Sequence, residues 1–346
     1  MRLLVTGGAG FIGSAFIRLA LAKEGASGIL NLDKLTYAGN LENLEAVAGD
    51  PRYRFVRGDI CDAALVGRVL SEFRPEAIVH FAAESHVDRS ILSPQQVIET
   101  NLRGTFTLLE AAREHGVGRF LHVSTDEVYG SVAAPLEADE EFPLRPSSPY
   151  SAAKAGADLL ALSYFATYKL PVVVTRASNN YGPYQFPEKL IPLMISNALE
   201  GQPLPVYGDG LQVRDWLYVE DHCRAVAALL ESGRDGEIYN IGGNRSLANL
   251  DVVRQILHAT GASEELIQFV TDRPGHDRRY ALSSQKTMAA TGWRPEVGFE
   301  EGLRRTVAWY RANAGWIERV KSGAYQSYYE RNYGDRDLEL KRLGRR

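Results

Sequence analysis

Arg2-Leu3-Leu4-Val5-Thr6-Gly7-Gly8-Ala9-Gly10-Phe11-Ile12-Gly13 decides how the rest of the chain is read. The aliphatic run at 2–6 reads as a short buried strand, and the stretch from Phe11 to about Glu24 as a helix. Between them, glycines at 7, 10 and 13 are spaced G-x-x-G-x-x-G. This differs from the simple G-x-G-x-x-G pattern but does the same physical work. Glycines allow a tight turn, let the backbone approach a pyrophosphate, and let helix and strand touch. The helix N-terminus then offers unpaired N–H groups to the anion. Glycine-rich turns are common, so the reading depends on the next segments of the chain.

A second strand at 29–32 ends in Asp33, 20 residues beyond Gly13. An acid at that distance is expected on a ribose hydroxyl, and it repels a 2′-phosphate, which favours NAD over NADP. Lys34 beside it pulls the other way. A strand at 53–57 ends in Gly58-Asp59-Ile60, an expected adenine-side contact. Another at 77–81 ends in Ala82-Ala83-Glu84-Ser85-His86, where small residues let a flat cofactor lie close to the backbone. A helix is expected over 94–115, with Ile98, Leu102, Phe106 and Leu109 as an apolar stripe serving core or interface. Strands alternating with helices imply an α/β fold, a Rossmann-type doubly wound parallel sheet.

The chemistry is expected where the next strand, Arg119-Phe120-Leu121-His122-Val123, gives way to Ser124-Thr125-Asp126-Glu127-Val128-Tyr129-Gly130. Ligands sit at the carboxyl ends of strands in such sheets. An isolated Asp-Glu dipeptide is usually a solvated turn, but two adjacent carboxylates also raise each other's proton affinity and make an acid/base couple. After a proline-marked loop, a helix over 149–168 carries Tyr150 and Lys154, four apart and therefore on one face. An ammonium near a phenol stabilises the phenolate, so this Tyr is expected to be lowered from about 10 and able to take an alcohol proton as hydride leaves.

A sixth strand at 171–175 runs into Arg176, and then regular alternation stops. This second half is expected to build the substrate side of the cleft, with Glu188, Lys189, Arg214, Arg273 and His276 as candidate polar groups. Arginines suit a diphosphate because they bind its oxygens in bidentate fashion. Spacing alone does not choose Arg214 over Arg224. Trp309, Tyr310 and Trp316 read as packing. The expected division is a nucleotide-binding domain at 1–177 with a return segment near 213–243, a smaller mixed substrate domain at 178–212 and 244–330, and a solvated tail at 331–346.

The 346 residues are 45% hydrophobic and 24% charged with net charge −4, which argues against a nucleic-acid binder or a polybasic membrane surface. Cys61 and Cys223 give neither a disulfide framework nor metal-ligand spacing and read as small buried hydrophobes, so no metal is expected. No apolar run reaches membrane-spanning length. With a strand starting at Arg2, no leader is expected, and the cytoplasm is the default location.

Gly7 to Gly13 with Tyr150 and Lys154 resembles the extended short-chain dehydrogenase/reductase superfamily, and Thr125 to Gly130 resembles its sugar-nucleotide dehydratase branch. The segments Asp33 to Asn40, His80 to Ser90, Asn179 to Gln185, Pro187 to Pro192, Tyr207 to Gly210 and Gly275 to Tyr280 extend the likeness to about residue 310. The resemblance implies bound NAD, dTDP-glucose as substrate, and a homodimer formed through the 94–115 and 150–168 helices. It implies that Tyr150, tuned by Lys154, and Thr125 act at the 4-hydroxyl, that Glu127 takes the C5 proton, and that Asp126 protonates the departing 6-hydroxyl. It adds Phe11, Ile12, Thr36, Gly39, Thr100 and Asn180 to the cofactor contacts already named, Tyr150 and Lys154 among them. It further implies a nucleotide-sugar site of Ser85, Thr125, Asn179, Glu188, Lys189, Leu190, Pro205, Tyr207, Arg214, Asn249 and His276, with Arg214 facing the diphosphate. Two other readings share the fold: a sugar-nucleotide 4-epimerase, which needs no Asp126–Glu127 couple, and a non-catalytic NAD-binding regulator.

Overall fold

The computed structural model describes residues 1–23 and 25–321 together with Tyr325, Tyr329 and Tyr333. The tail expected at 331–346 lies outside the described residues, Tyr333 excepted.

The strands, in chain order, are β1 (Arg2–Thr6), β2 (Gly28–Asp33), β3 (Tyr53–Arg57), β4 (Ala77–His80), β5 (Arg119–Thr125), β6 (Val172–Ala177), β7 (Asn179–Tyr181), β8 (Leu204–Tyr207), β9 (Val213–Tyr218), β10 (Glu237–Ile241), β11 (Ser246–Ala248) and β12 (Ile267–Val270). Seven of them form one parallel sheet in the order β10-β6-β5-β4-β1-β2-β3. The order reverses between β1 and β4, and a ligand crevice opens at the carboxyl ends beside such a reversal. Both faces are covered, which is why these strands read as continuous apolar runs. Val5, Val79, Leu121 and Val173 pack on one side with Phe16, Ile17 and Val226. Their neighbours Leu4, Ile78, Phe120 and Val172 pack on the other with Val66, Leu70 and Leu108.

β10 pairs with β6, and the helix Val219–Ser232 packs on the helix Phe11–Ala22. The segment that returns to the large sheet therefore starts at Val219 and not at 213, because β9 pairs with β7 and β11 in a separate three-stranded sheet. That sheet, the β8–β12 pair and the helices Leu190–Glu200, Asn249–Thr260 and Phe299–Ala312 share their own core around Tyr181, Ile195, Trp216, Ile256 and Leu303. Tyr310 and Trp316 are buried in it, and the Trp309 and Trp316 rings lie 5.1 Å apart.

The helix expected over 94–115 is interrupted. Pro94–Val97 leads into a wide π-turn at Ile98–Gly104, and only Thr105–Glu114 is regular. Asn101 explains the distortion, since its amide accepts from the Glu84 N–H at 2.8 Å and donates to the Glu84 carbonyl at 2.9 Å. A π-turn of this kind often marks a functional position, and Thr100 lies in it. Leu109 is buried as expected, whereas Ile98 is 50% and Phe106 46% exposed. Cys223 is buried, but Cys61 is only partly so. Among the described residues no helix is long and apolar enough to cross a membrane.

Candidate active site

β1 ends on Thr6, and the chain turns at Gly7 with φ +70°, a region that favours glycine. A Cβ on Gly7 would fall 2.6 Å from the Ala82 backbone, and one on Gly13 would fall 2.3 Å from the Gly7 carbonyl oxygen. These two glycines let the turn close on β4 and on the helix. Gly10 differs in degree: an added Cβ would lie 3.3 Å from the Gly7 carbonyl oxygen, a tight contact but not an overlap. Gly10 is the N-cap of the helix Phe11–Ala22 and makes no side-chain cap bond. The first turn after it, Phe11 to Gly13, lines a cavity, and the N–H groups at a helix start suit a phosphate group. Asp33 ends β2 and accepts from the N–H groups of Ala9 at 2.9 Å and Leu35 at 2.8 Å. Burial raises its carboxyl from the ordinary value and those two donors oppose the rise. Lys34 is held by Asp59 at 2.7 Å, so its charge is neutralised on the neighbouring strand end.

One cavity runs from this turn to the acid pair. Its lining includes Gly7, Gly10, Gly13, Asp33, Thr125 and Tyr150. The other residues expected on the cofactor side line it as well: Phe11, Ile12, Lys34, Thr36, Gly39, Asp59, Ile60, Ala82, Ala83, Thr100, Lys154 and Asn180. So do Ser85, Asp126, Glu127, Asn179, Glu188, Lys189 and Leu190.

At the cavity's centre, β5 runs through Thr125 into a single 3-10 turn, Asp126–Tyr129, which Thr125 caps by accepting from the Glu127 N–H. Asp126 is 3% exposed. Burial, then the charges of Glu127 and Asp215, push its carboxyl well above the usual carboxylate range, against Arg214 and Thr125. Burial of this kind favours the protonated form of an acid. The helix Pro149–Tyr168 starts at Ser148, whose side chain and that of Ser151 form a reciprocal cap, and this fixes Tyr150 in the first turn. Its phenol is not lowered as expected from the Lys154 spacing. Burial, followed by the charge of Glu127, pushes it up, and a hydrogen bond with Thr125 works against that. The reason lies in where Lys154 points: its Nζ donates to the Val123 carbonyl at 2.8 Å and lies 3.4 Å from His122 Nε2. Burial brings Lys154 down to about 8, with Asp158 opposing.

The family model for GDP-mannose 4,6 dehydratase matches residues 4–306. The chain belongs to that family. A dTDP-glucose 4,6-dehydratase of Shigella flexneri is 52% identical over 97% of this chain and 100% of its own length. That of Streptomyces niveus is 55% identical over 93% and 96%. Among solved structures, the dTDP-glucose 4,6-dehydratase of Streptomyces venezuelae with NAD bound superposes with a TM-score of 0.91 at 54% identity, covering 93% of this chain and 100% of that one. The UDP-glucose 4-epimerase of Thermus thermophilus in complex with NAD gives 0.83 at 38%, covering 90% and 100%.

Five of the substrate residues expected of this dehydratase-family chain lie outside the cavity lining: Pro205, Tyr207, Arg214, Asn249 and His276. Three of them adjoin one another or the acid pair. Tyr207 donates to Asp88 at 2.7 Å and its ring is 6.1 Å from His276, which contacts Asp272 at 2.6 Å. Arg214 donates to the Val213 and Asp277 carbonyls, lies over the Tyr280 ring at 4.1 Å, and its charge is felt by Asp126. Arg224 instead pairs with Asp221 and Glu296, so the structure separates the two arginines that spacing could not. Pro205 sits in β8 opposite Gln268, and Asn249 opens its helix by donating its N–H to the Gln212 carbonyl. Glu188 is held by Arg89 at 3.0 Å, and Lys189 donates to the Ser85 carbonyl at 2.5 Å.

Sequence reading missed Ser124, Ser178, Gln185, Trp216 and His222, all of which line the cavity. Buried atoms of four of them, Ser124 Oγ, Gln185 Oε1, Trp216 Nε1 and His222 Nε2, have no protein partner among the described residues, as does Asn179 Oδ1. The polar atoms of a bound ligand, or water, would satisfy such groups. His222 sits 2.9 Å from Asn180 Oδ1 through Nδ1, and burial lowers it to about 3. The helix start from Gly10 to Gly13, the Asp33 carboxyl and these unsatisfied atoms share one cavity and fit a dinucleotide. Among the described residues no cluster of His, Cys, Asp or Glu could hold a metal ion.

Proposed function

We propose that the chain is an NAD-dependent dTDP-glucose 4,6-dehydratase that forms dTDP-4-keto-6-deoxyglucose and water, a step of deoxysugar biosynthesis. One observation carries the reading: Asp126, buried and with its carboxyl pushed well above the usual range, sits beside the half-buried Glu127 in the cavity that also holds Tyr150 and Lys154. Elimination needs one acid and one base at adjoining atoms, and neighbouring carboxyls in unlike environments supply them.

The Gly7–Gly13 turn and the helix after it would hold the pyrophosphate, and Asp33 the ribose. When bound, NAD accepts a hydride from C4 and gives it back after water is lost. Tyr150 takes the 4-hydroxyl proton while Thr125 bonds the same oxygen. The C4 ketone makes C5–H acidic. Glu127 removes that proton, and Asp126 passes its own to the 6-hydroxyl, which leaves as water. The hydride is returned to C6 and a proton, from Glu127 after exchange with solvent, to C5, so that one water is lost and no net oxidation occurs. Each positioned proton transfer contributes roughly 10²–10⁴ in rate. Asn179, Glu188, Lys189 and Leu190 would line the sugar, with Arg214, Tyr207 and His276 on the diphosphate and base. Arg273 belongs with them, because it lies 3.6 Å from Asp88, the partner of Tyr207, and feels the charge of Glu127.

The proposed domains are 1–177 with the return 219–241 and the segment 285–293 that packs on it, and 178–218 with 242–284 and 294–321. A homodimer would cover the exposed apolar side chains Ile98, Phe106, Leu159 and Tyr168, which lie on adjoining helices. Glu127→Gln tests the chemistry: bound cofactor should still be reduced on adding dTDP-glucose, with water loss slowed on the order of 100-fold. Normal water loss would remove Glu127 from the role. An epimerase would be indifferent to the change.

A further inference from the structure

Arg176 lies at the end of β6, and no step of the proposed reaction uses it. It is 2% exposed, among the largest fully buried side chains of the protein. Its guanidinium reaches two elements in different directions. Nε donates to Asp158 Oδ2 at 2.8 Å, and Nη1 donates to the Tyr129 hydroxyl at 3.0 Å. Asp158 lies one helical turn beyond Lys154 and two beyond Tyr150, on the same helix face. Tyr129 is the last residue of the turn Asp126–Tyr129. Its hydroxyl donates in turn to Asn240 Oδ1 at 2.8 Å on β10, and its ring lies under the guanidinium at 4.9 Å. His122 sits between Asp158 and Lys154, with Nε2 3.4 Å from Asp158 Oδ1 and 3.4 Å from Lys154 Nζ.

Stability does not explain this arrangement. A buried ion pair loses hydration that its attraction barely recovers, and apolar residues of the same volume often do as well or better. What arginine offers and an apolar residue lacks is a rigid fork that fixes two partners at set angles. The two partners here belong to the two catalytic elements. The helix carries the proton acceptor for C4 oxidation, and the turn carries the couple for C5/C6 elimination. Both must meet one sugar ring, and misplacement by about 1 Å costs on the order of 10² in rate.

We propose that Arg176 is a positioning residue that sets the turn bearing Asp126 and Glu127 against the helix bearing Tyr150 and Lys154. The Asp158 arm holds the oxidation side and the Tyr129 arm the elimination side. This rests on the dehydratase reading, so the unsubstituted protein is the first arm of the test: if it does not dehydrate dTDP-glucose, both fall.

The test uses the full chain loaded with NAD and mixed rapidly with dTDP-glucose, with cofactor reduction and water loss recorded separately. Tyr129→Phe removes one hydroxyl and leaves the Arg176–Asp158 pair whole. Cofactor reduction should stay within about twofold and water loss should slow about tenfold, equivalent to ~1.4 kcal/mol, so that reduced cofactor accumulates. Asp158→Asn should do the reverse. A readout independent of turnover is hydrogen exchange without substrate: Tyr129→Phe should speed amide exchange at 126–130 and leave the helix 149–168 unchanged. If Tyr129→Phe slows both steps equally, or neither, or leaves exchange at 126–130 unaltered, the proposal is wrong. It is then wrong even where Asp158→Asn fails to fold.

Discussion

Asp126 and Glu127 are adjacent in sequence and unlike in surroundings. Asp126 is buried, while Glu127 is half-buried. Because burial raises the folded-state value of Asp126, the folded protein holds this proton more tightly than the unfolded chain does. Stability attributable to it is therefore present at low pH and falls as pH rises above the ordinary carboxylate range. Asp126→Asn removes that slope. The variant should melt on the order of 2 °C higher than the parent at neutral pH and lose less stability toward alkaline pH, while water loss falls at least 100-fold. Thermal unfolding at several pH values and product analysis check both, and an unchanged pH slope would mean that Asp126 is not held protonated. Tyr150, Lys154, Asp126 and Glu127 are legible in the sequence because spacing and strand-end position reveal them. The partner of Lys154 is not, since Val123 and His122 reach it only once β5 lies under the helix. Nor are His222 and Arg176, whose roles depend on burial by strands distant in sequence.

At the scale of elements, the turn Gly7–Gly13 makes separable demands at each glycine. Gly13→Ala places a methyl 2.3 Å from a backbone oxygen, so both the melting temperature and NAD affinity should fall. Gly10→Ala places a methyl 3.3 Å from the Gly7 carbonyl oxygen, a tight contact but not an overlap, and its backbone at φ −76° accepts any residue. It should lower the melting temperature less than Gly13→Ala does and yet bind NAD at least tenfold more weakly, because the methyl fills the phosphate's approach. Calorimetric titration of the two variants separates the roles; equal effects would make both glycines merely structural. The helix at 149–168 is legible to its residue limits because its cap, Ser148 with Ser151, is written in the sequence. The helix expected at 94–115 is not, because its distortion comes from Asn101 bonding to Glu84, a contact that periodicity does not encode.

For the whole molecule, alternation reveals the parallel sheet but not where the later segments return. β9 and β10 lie close in sequence and join different sheets, and only pairing with β6 or β7 decides which. The same limit applies to the proposed substrate lobe, whose Arg214, Tyr207 and His276 come together through β8, β9 and the loop at 272–279. Assembly is testable at this scale. Placing Asp at Ile98 and Leu159, which are 50% and 58% exposed, should convert a dimer to a monomer in sedimentation, with the melting temperature of the chain little changed. A parent that is already monomeric would refute the dimer. The central claim, that Asp126 and Glu127 carry out an elimination between two hydride transfers, is tested most directly by the mass of the product formed from dTDP-glucose in deuterated water. The account predicts loss of one water with one deuterium retained at C5. An isomer of unchanged mass would contradict it and leave the acid pair without a part in the reaction.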